Sequence, residues 1–177
     1  MTTIDLSYPI GRFQKETNIT SDRRHALIDG IARLPVDMRA AAHKLSDQQL
    51  DTAYRPGGWT ARQVLHHVPD SHLNAYIRFK LALTESEPTI KPYDEKQWAE
   101  LADVKLTSIE VSLSLLENLH ARWTVLLRAL EPAAFSKTFR HPEIGVLTLD
   151  TQLGLYEWHG RHHVAHITSL RSRMGWN

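Results

Sequence analysis

Four histidines fall within eight residues of the segment Tyr156-Glu157-Trp158-His159-Gly160-Arg161-His162-His163-Val164-Ala165-His166. On an α-helix, residues four apart stand one turn above each other, so His159 and His163 share a face, as do His162 and His166. The wider pattern Leu153, Tyr156, His159, His163, Ile167, Leu170 and Met174 lines one broad side of a helix that starts near Thr148. The histidines therefore point inward, where polar groups without partners are costly. Such a helix constrains the fold, because another element must face it closely enough to complete a site. A second dense stretch, Val64-Leu65-His66-His67-Val68-Pro69-Asp70-Ser71-His72, lies nearly a hundred residues earlier, and the two segments hold seven of the eleven histidines. They read as two walls of one site.

The remaining chain supplies the bundle that such a site needs. Residues 1–19, with Tyr8-Pro9-Ile10-Gly11, form an extended arm expected to pack on the body. From Ser21 to about Leu45, Leu27, Ile31, Leu34, Met38, Ala41 and Leu45 recur at three and four, and Pro35 should kink or divide this helix. Ser46-Asp47 opens a short turn. Thr60 and Gln63 form a capping box that starts a second long helix over about Ala61 to Leu83. An ordered crossover follows to Leu106, with a short helix around Asp94 to Leu101. Thr107 and Glu110 form another box ahead of Ile109, Leu113, Leu116, Leu119, Trp123, Leu126 and Leu130. Lys137–His141 and Gly145–Leu147 are expected to pair as a small β-hairpin across Pro142. The predicted fold is all-α: a four-helix bundle with a long crossover and a small hairpin, in one domain spanning 1–177.

Composition limits the partners. The formal charge is +1, which leaves no electrostatic footprint for nucleic acid or a membrane surface and favours a small-molecule substrate. Cysteine is absent, which excludes disulfides, thiolate ligands and a cysteine nucleophile. No basic leader precedes an apolar run, and no apolar stretch approaches ~20 residues, so a cytoplasmic location is expected.

His159 and His163 lie on the inward line, and either His66 or His67 would complete three neutral nitrogen ligands with a position left open. His66 and His162 are candidate outer donors. Asp70 is a candidate for orienting a histidine or for forming a helix salt bridge. Arg78 and Arg161 are candidates for meeting an anionic substrate, with plain solvent exposure as the alternative. Trp59 and Trp158 suit a core or pocket wall. His25, His43, His120 and His141 stand isolated and are expected to be surface or structural residues.

The whole chain resembles the DinB-like helical-bundle superfamily. It is most similar to the YfiT-type candidate metal-dependent hydrolases, which stand near the bacillithiol transferases. The residues that carry this are Asp5-Leu6-Ser7-Tyr8-Pro9-Ile10-Gly11, Gly57-Gly58-Trp59-Thr60, Arg62-Gln63-Val64, His66-His67, Asp70-Ser71-His72, Tyr76-Ile77-Arg78-Phe79-Lys80, Lys91-Pro92-Tyr93-Asp94-Glu95 and the stretch from Trp158-His159 to Met174-Gly175-Trp176. The resemblance implies a homodimeric four-helix bundle with one divalent metal ion per subunit, zinc first and nickel as the alternative, held by His67, His159 and His163. It also implies hydrolysis or transfer of a low-molecular-weight thiol. A non-catalytic metal- or ligand-binding bundle is the competing reading, distinguished by whether His162 or His166 closes the site. One departure stands out: Pro69 occupies a position where similar proteins usually carry alanine, which deprives the Leu65 carbonyl of its helical partner.

Overall fold

The computed structural model describes residues 5–176. Four long helices dominate it: α1 (Ser21–Ala42), α3 (Ala61–Thr84), α6 (Ile109–Arg128) and α7 (Leu149–Met174). Between them lie the short helices α2 (Asp47–Leu50), α4 (Glu95–Trp98) and α5 (Ala102–Leu106), a 3-10 turn at Pro132–Ser136, and the strands β1 (Thr138–His141) and β2 (Gly145–Thr148). Both α1 and α3 pack against α6 and α7. Helices consecutive among the long four, α1 with α3 and α6 with α7, thus stand diagonally, which departs from simple up-and-down order.

Local chemistry sets most boundaries. The Thr60 hydroxyl accepts from Gln63 N at 3.1 Å while the Gln63 side chain accepts from Thr60 N at 2.9 Å, so the expected box opens α3. The Thr148 hydroxyl caps α7 by accepting from Thr151 N, and Gly175 ends it at φ 67°, a left-handed conformation that suits glycine. The cap of α6 is Ser108, one residue later than predicted. Thr107 is unavailable because its own N–H closes α5 on Asp103 O. The short helix expected near Asp94–Leu101 is α4, a further short helix, α5, follows it, and α1 stops at Ala42 rather than Leu45. Pro35 and Pro69 sit inside α1 and α3, and neither divides its helix.

The hairpin forms in the expected place, with Thr138 opposite Thr148 and His141 opposite Gly145. The crossover joins it: Arg140 N donates to Pro88 O, and Ile90 N donates to Arg140 O. Residues 1–4 of the N-terminal arm lie outside the described residues. From Asp5 onward the arm packs on α7, with the Phe13 ring against Trp158.

The core divides into two apolar clusters. One centres on Phe79, Trp123, Phe135, Phe139 and Leu153; the other on Met38, Val64, Leu65, Val68, Leu116 and Ile167. Buried His72, His120, His162, His163 and His166 lie on helix segments between those sets, and buried His66 and His67 sit at the edge of the second. A polar layer therefore crosses the bundle at mid-height. One close approach fixes that layer: a Cβ on Gly160 would stand 2.5 and 2.8 Å from the Leu34 methyl carbons. α7 meets α1 there so closely that any larger residue would have to push the Leu34 side chain aside.

Candidate metal centre

His67 lies on α3, one turn beyond the capping glutamine, while His159 and His163 occupy successive turns of α7. Their Nε2 atoms converge: His67 to His159 is 3.3 Å, and His163 to His159 is 3.2 Å. One ligand atom from each of the three lies within 4.8 Å of the others. Nitrogens bound tetrahedrally about 2.0–2.1 Å from a zinc ion stand about 3.3 Å apart, so the three rings can hold such an ion with little movement.

The hydrogen bonds behind two of these rings decide which nitrogens carry protons. His120 Nδ1 lies 2.6 Å from Ile31 O. A carbonyl only accepts, so that nitrogen is the donor and His120 Nε2 keeps its lone pair. His120 Nε2 then accepts from His72 Nδ1 at 3.0 Å, and His72 Nε2 accepts from His159 Nδ1 at 3.2 Å. The relay leaves His159 Nε2 bare. A second relay runs from Ser7 O, which accepts from His166 Nε2 at 3.3 Å; His166 Nδ1 accepts from His163 Nδ1 at 3.4 Å, leaving His163 Nε2 bare as well. Both relays require neutral imidazoles. Burial supplies that condition: it pushes His120, His166 and His67 down to about 4. It also holds His72, His159 and His163 well below the ordinary value, with neighbouring histidines adding to the effect.

Two lone pairs thus face each other at 3.2 Å between His159 and His163. That contact is repulsive unless a cation lies between them, and burial disfavours a proton in that role. Replacing His120 by phenylalanine, which keeps an aromatic ring but removes the acceptor, is expected to weaken metal binding about 10–100-fold. It should also let the Nε2-protonated tautomer of His159 appear in long-range ¹H–¹⁵N spectra. An unchanged His159 tautomer would show that the relay does not set it.

The site opens on a cleft of about 350 Å³ lined by His67, His159 and His163 with Trp59, Ser71, Arg78, Tyr93 and His141 among others. Trp59 forms a wall against His67, with ring centroids 4.6 Å apart. The Ser71 and Tyr156 hydroxyls lie 3.3 Å apart.

Several sequence expectations change here. His66 is not an outer donor to the cluster, since its Nδ1 pairs with Ser112 Oγ at 2.7 Å. His162 stacks on Trp158, and its Nδ1 has no partner among the described residues. His166 stands behind His163 and does not join the converging nitrogens. Asp70 forms neither of the two expected contacts among the described residues; burial, aided by Asp103, raises it to about 6. Arg161 is exposed and pairs with Glu157 at 2.6 Å, whereas Arg78 is buried and lines the cleft. His25 and His43 are exposed as expected, His120 is a buried relay member, and His141 reaches the cleft on the hairpin. Sequence spacing gave no signal for the His120 and His72 roles, because their partners come from different helices.

A helical bundle whose facing helices converge three imidazole nitrogens beneath an open cleft has the form of a metal-binding four-helix protein. Residues 31–167 match the DinB superfamily, and the chain belongs to it. It is 57% identical over 172 residues to a protein of Bacillus mycoides (strain KBAB4) named as a candidate metal-dependent hydrolase, covering 97% of this chain and 99% of that one. It is 50% identical over 178 residues to YfiT of Bacillus subtilis (strain 168), a relative of the same description, with both chains covered in full. A solved structure of Bacillus subtilis YfiT, described as a probable metal-dependent hydrolase with an unusual four-helix bundle topology, matches with a TM-score of 0.96 and 50% identity. That match covers 98% of this chain and 100% of that one. Among the described residues no helix is long and apolar enough to cross a membrane.

Proposed function

We propose that this protein is a metal-dependent enzyme in which His67, His159 and His163 hold one divalent ion, zinc first and nickel as the alternative. The observation that carries this reading is the pair of bare nitrogens facing each other at 3.2 Å. The names of the relatives support it. A bound divalent ion with three neutral ligands supplies a Lewis acid that makes water or a small thiol nucleophilic near neutral pH. The chain's own residues would orient the other reactant. Trp59 walls the cleft beside His67, while Ser71, Tyr93 and Tyr156 offer hydroxyls. His141, held below its ordinary value first by burial and then by Arg78, lines the same cleft and would offer a neutral base there.

The open cleft and the position of His162 and His166 outside the converging set favour this reading over a closed metal-binding module. Small-molecule substrates, a homodimer and a cytoplasmic setting complete the proposal. The test is to offer zinc-loaded protein small thiols with a chromogenic electrophile, and separately a panel of esters and amides. Metal-dependent, thiol-dependent product identifies a transferase, and thiol-independent cleavage identifies a hydrolase. If neither panel turns over and the bound ion proves to have a fourth protein ligand, the enzyme reading fails.

A further inference from the structure

Arg78 is the one arginine or lysine that is buried among the described residues, at 9% exposure. The other well-covered arginines are neutralised or held by acceptors. Arg24 grips Asp150 through two bonds of 2.8 Å, Arg62 reaches Asp51 at 2.6 Å and Asp47 at 2.8 Å, and Arg171 donates to the carbonyls of Ala41 and His43 at 2.9 Å. Arg78 has no such partner: among the described residues no carboxylate oxygen lies within 4.0 Å of its guanidinium. Its nitrogens are not among the enclosed polar atoms that lack a partner, and the residue lines the cleft, so the charge faces the cleft with no carboxylate to neutralise it. A guanidinium kept in that state is a recognition group whose partner arrives from outside.

Its position agrees. Arg78 follows His67 on α3 by eleven residues, close to three full turns, so both share one helix face and their Cα atoms are separated by about 16 Å of helical rise. Helical side chains lean toward the N-terminus, which aims Arg78 back along the cleft toward the histidine cluster. Ser71 lies between them on the same face. The groups that feel its charge are the hydroxyls of Tyr93 and Tyr156 and the ring of His141, none of them anionic, and the two carboxylates on the cleft wall, Glu95 and Glu143, belong to exposed residues.

We infer that the substrate carries an anionic group, a carboxylate before a phosphate, several bonds from its reacting atom, and that Arg78 binds that group while the reacting atom lies at the three histidines. This rests on the metal reading above. Arginine matches a carboxylate through two parallel bonds, which lysine cannot reproduce.

The test uses hydroxamates, which anchor on a bound ion, titrated calorimetrically into zinc-loaded protein. Acetohydroxamate is compared with the monohydroxamates of succinate, glutarate and adipate, with their neutral methylamides, and with phosphonate-ended analogues of the same lengths. At one chain length the carboxylate form should bind at least about 10-fold tighter than its methylamide, as a charge-assisted pair requires. Arg78→Gln should erase that preference, and Arg78→Lys should keep only part of it, while both variants bind acetohydroxamate as the parent does. A phosphonate preference greater than the carboxylate one would assign a phosphate-bearing substrate to the same arginine. Equal binding of charged and neutral forms, or a preference that survives Arg78→Gln, overturns the inference while leaving the metal reading intact. Failure of every hydroxamate, acetohydroxamate included, overturns both.

Discussion

Replacing His163 by alanine is expected to abolish stoichiometric metal binding, and with it all metal-dependent turnover. The side chain supplies one of three converging nitrogens, and its removal also severs the relay that ends at Ser7 O. Loss of an outer hydrogen-bond partner weakens a site about 10–100-fold; loss of a direct ligand should exceed that, leaving less than one tenth of an equivalent of zinc after dialysis. The fold should survive. His163 lies between two apolar clusters that anchor α7 independently through Leu153 and Ile167, so the far-UV spectrum should remain helical. His43→Ala, at the exposed C-terminal cap of α1, is the control and should retain full occupancy. Elemental analysis of the two dialysed proteins decides the matter. A full equivalent of zinc in His163→Ala would remove that residue from the ligand set.

The metal-free protein is expected to lose stability steeply as pH falls from about 6.5 toward 4. His67, His120, His162 and His166 are each pushed down to about 4, with burial the leading cause. In the unfolded chain they titrate near about 6.5. Between those values the unfolded chain binds protons that the folded one refuses, so stability is fully present above the unfolded value and is lost as pH falls through the window. Each such group contributes a slope approaching about 1.4 kcal/mol per pH unit. Asp70 opposes them: raised to about 6, it binds its proton more readily when folded and stabilises the fold as pH drops from that value. One carboxyl does not offset four imidazoles. Against a total stability of about 5–15 kcal/mol, unfolding should come within this window. The check is a series of urea titrations of metal-free protein from pH 7 to pH 4.5. A midpoint that stays level across the series would mean that these rings are already solvated in the fold. Bound zinc should displace the transition to lower pH, because the ligand nitrogens must then lose metal before they gain protons.

Much of this arrangement was legible in the residues, and what was not has a common cause. Features governed by neighbours in sequence could be read: the Thr60–Gln63 box, the start of α7 at Thr148, the turn at Pro142, and the single face shared by His159 and His163. The displaced cap of α6 shows the limit, since Thr107 and Ser108 are chemically equivalent caps and only the closure of α5 decides between them. Choice of His67 over His66 is likewise a matter of rotation about α3, which spacing leaves open; Ser112, from α6, takes the other ring. The relay through His72 and His120 draws on three helices and a carbonyl of a fourth, a conjunction no local pattern reports. Arg78 was ambiguous for the same reason, because an arginine in a helix carries no mark of burial until its neighbours are in place.

The glycine contact between α7 and α1 acts as a mechanical stop. Gly160 follows His159 directly, about 100° round α7 from it, and it seats against Leu34 of α1. An α-helix advances about 1.5 Å per residue and turns about 100° with each, so a slip of one residue would swing both α7 imidazoles out of the gap they share with His67. The stop leaves no room for that slip. The alignment of the three nitrogens is therefore gauged from the side, by a contact between one glycine and one leucine that belong neither to the cleft wall nor to the cluster.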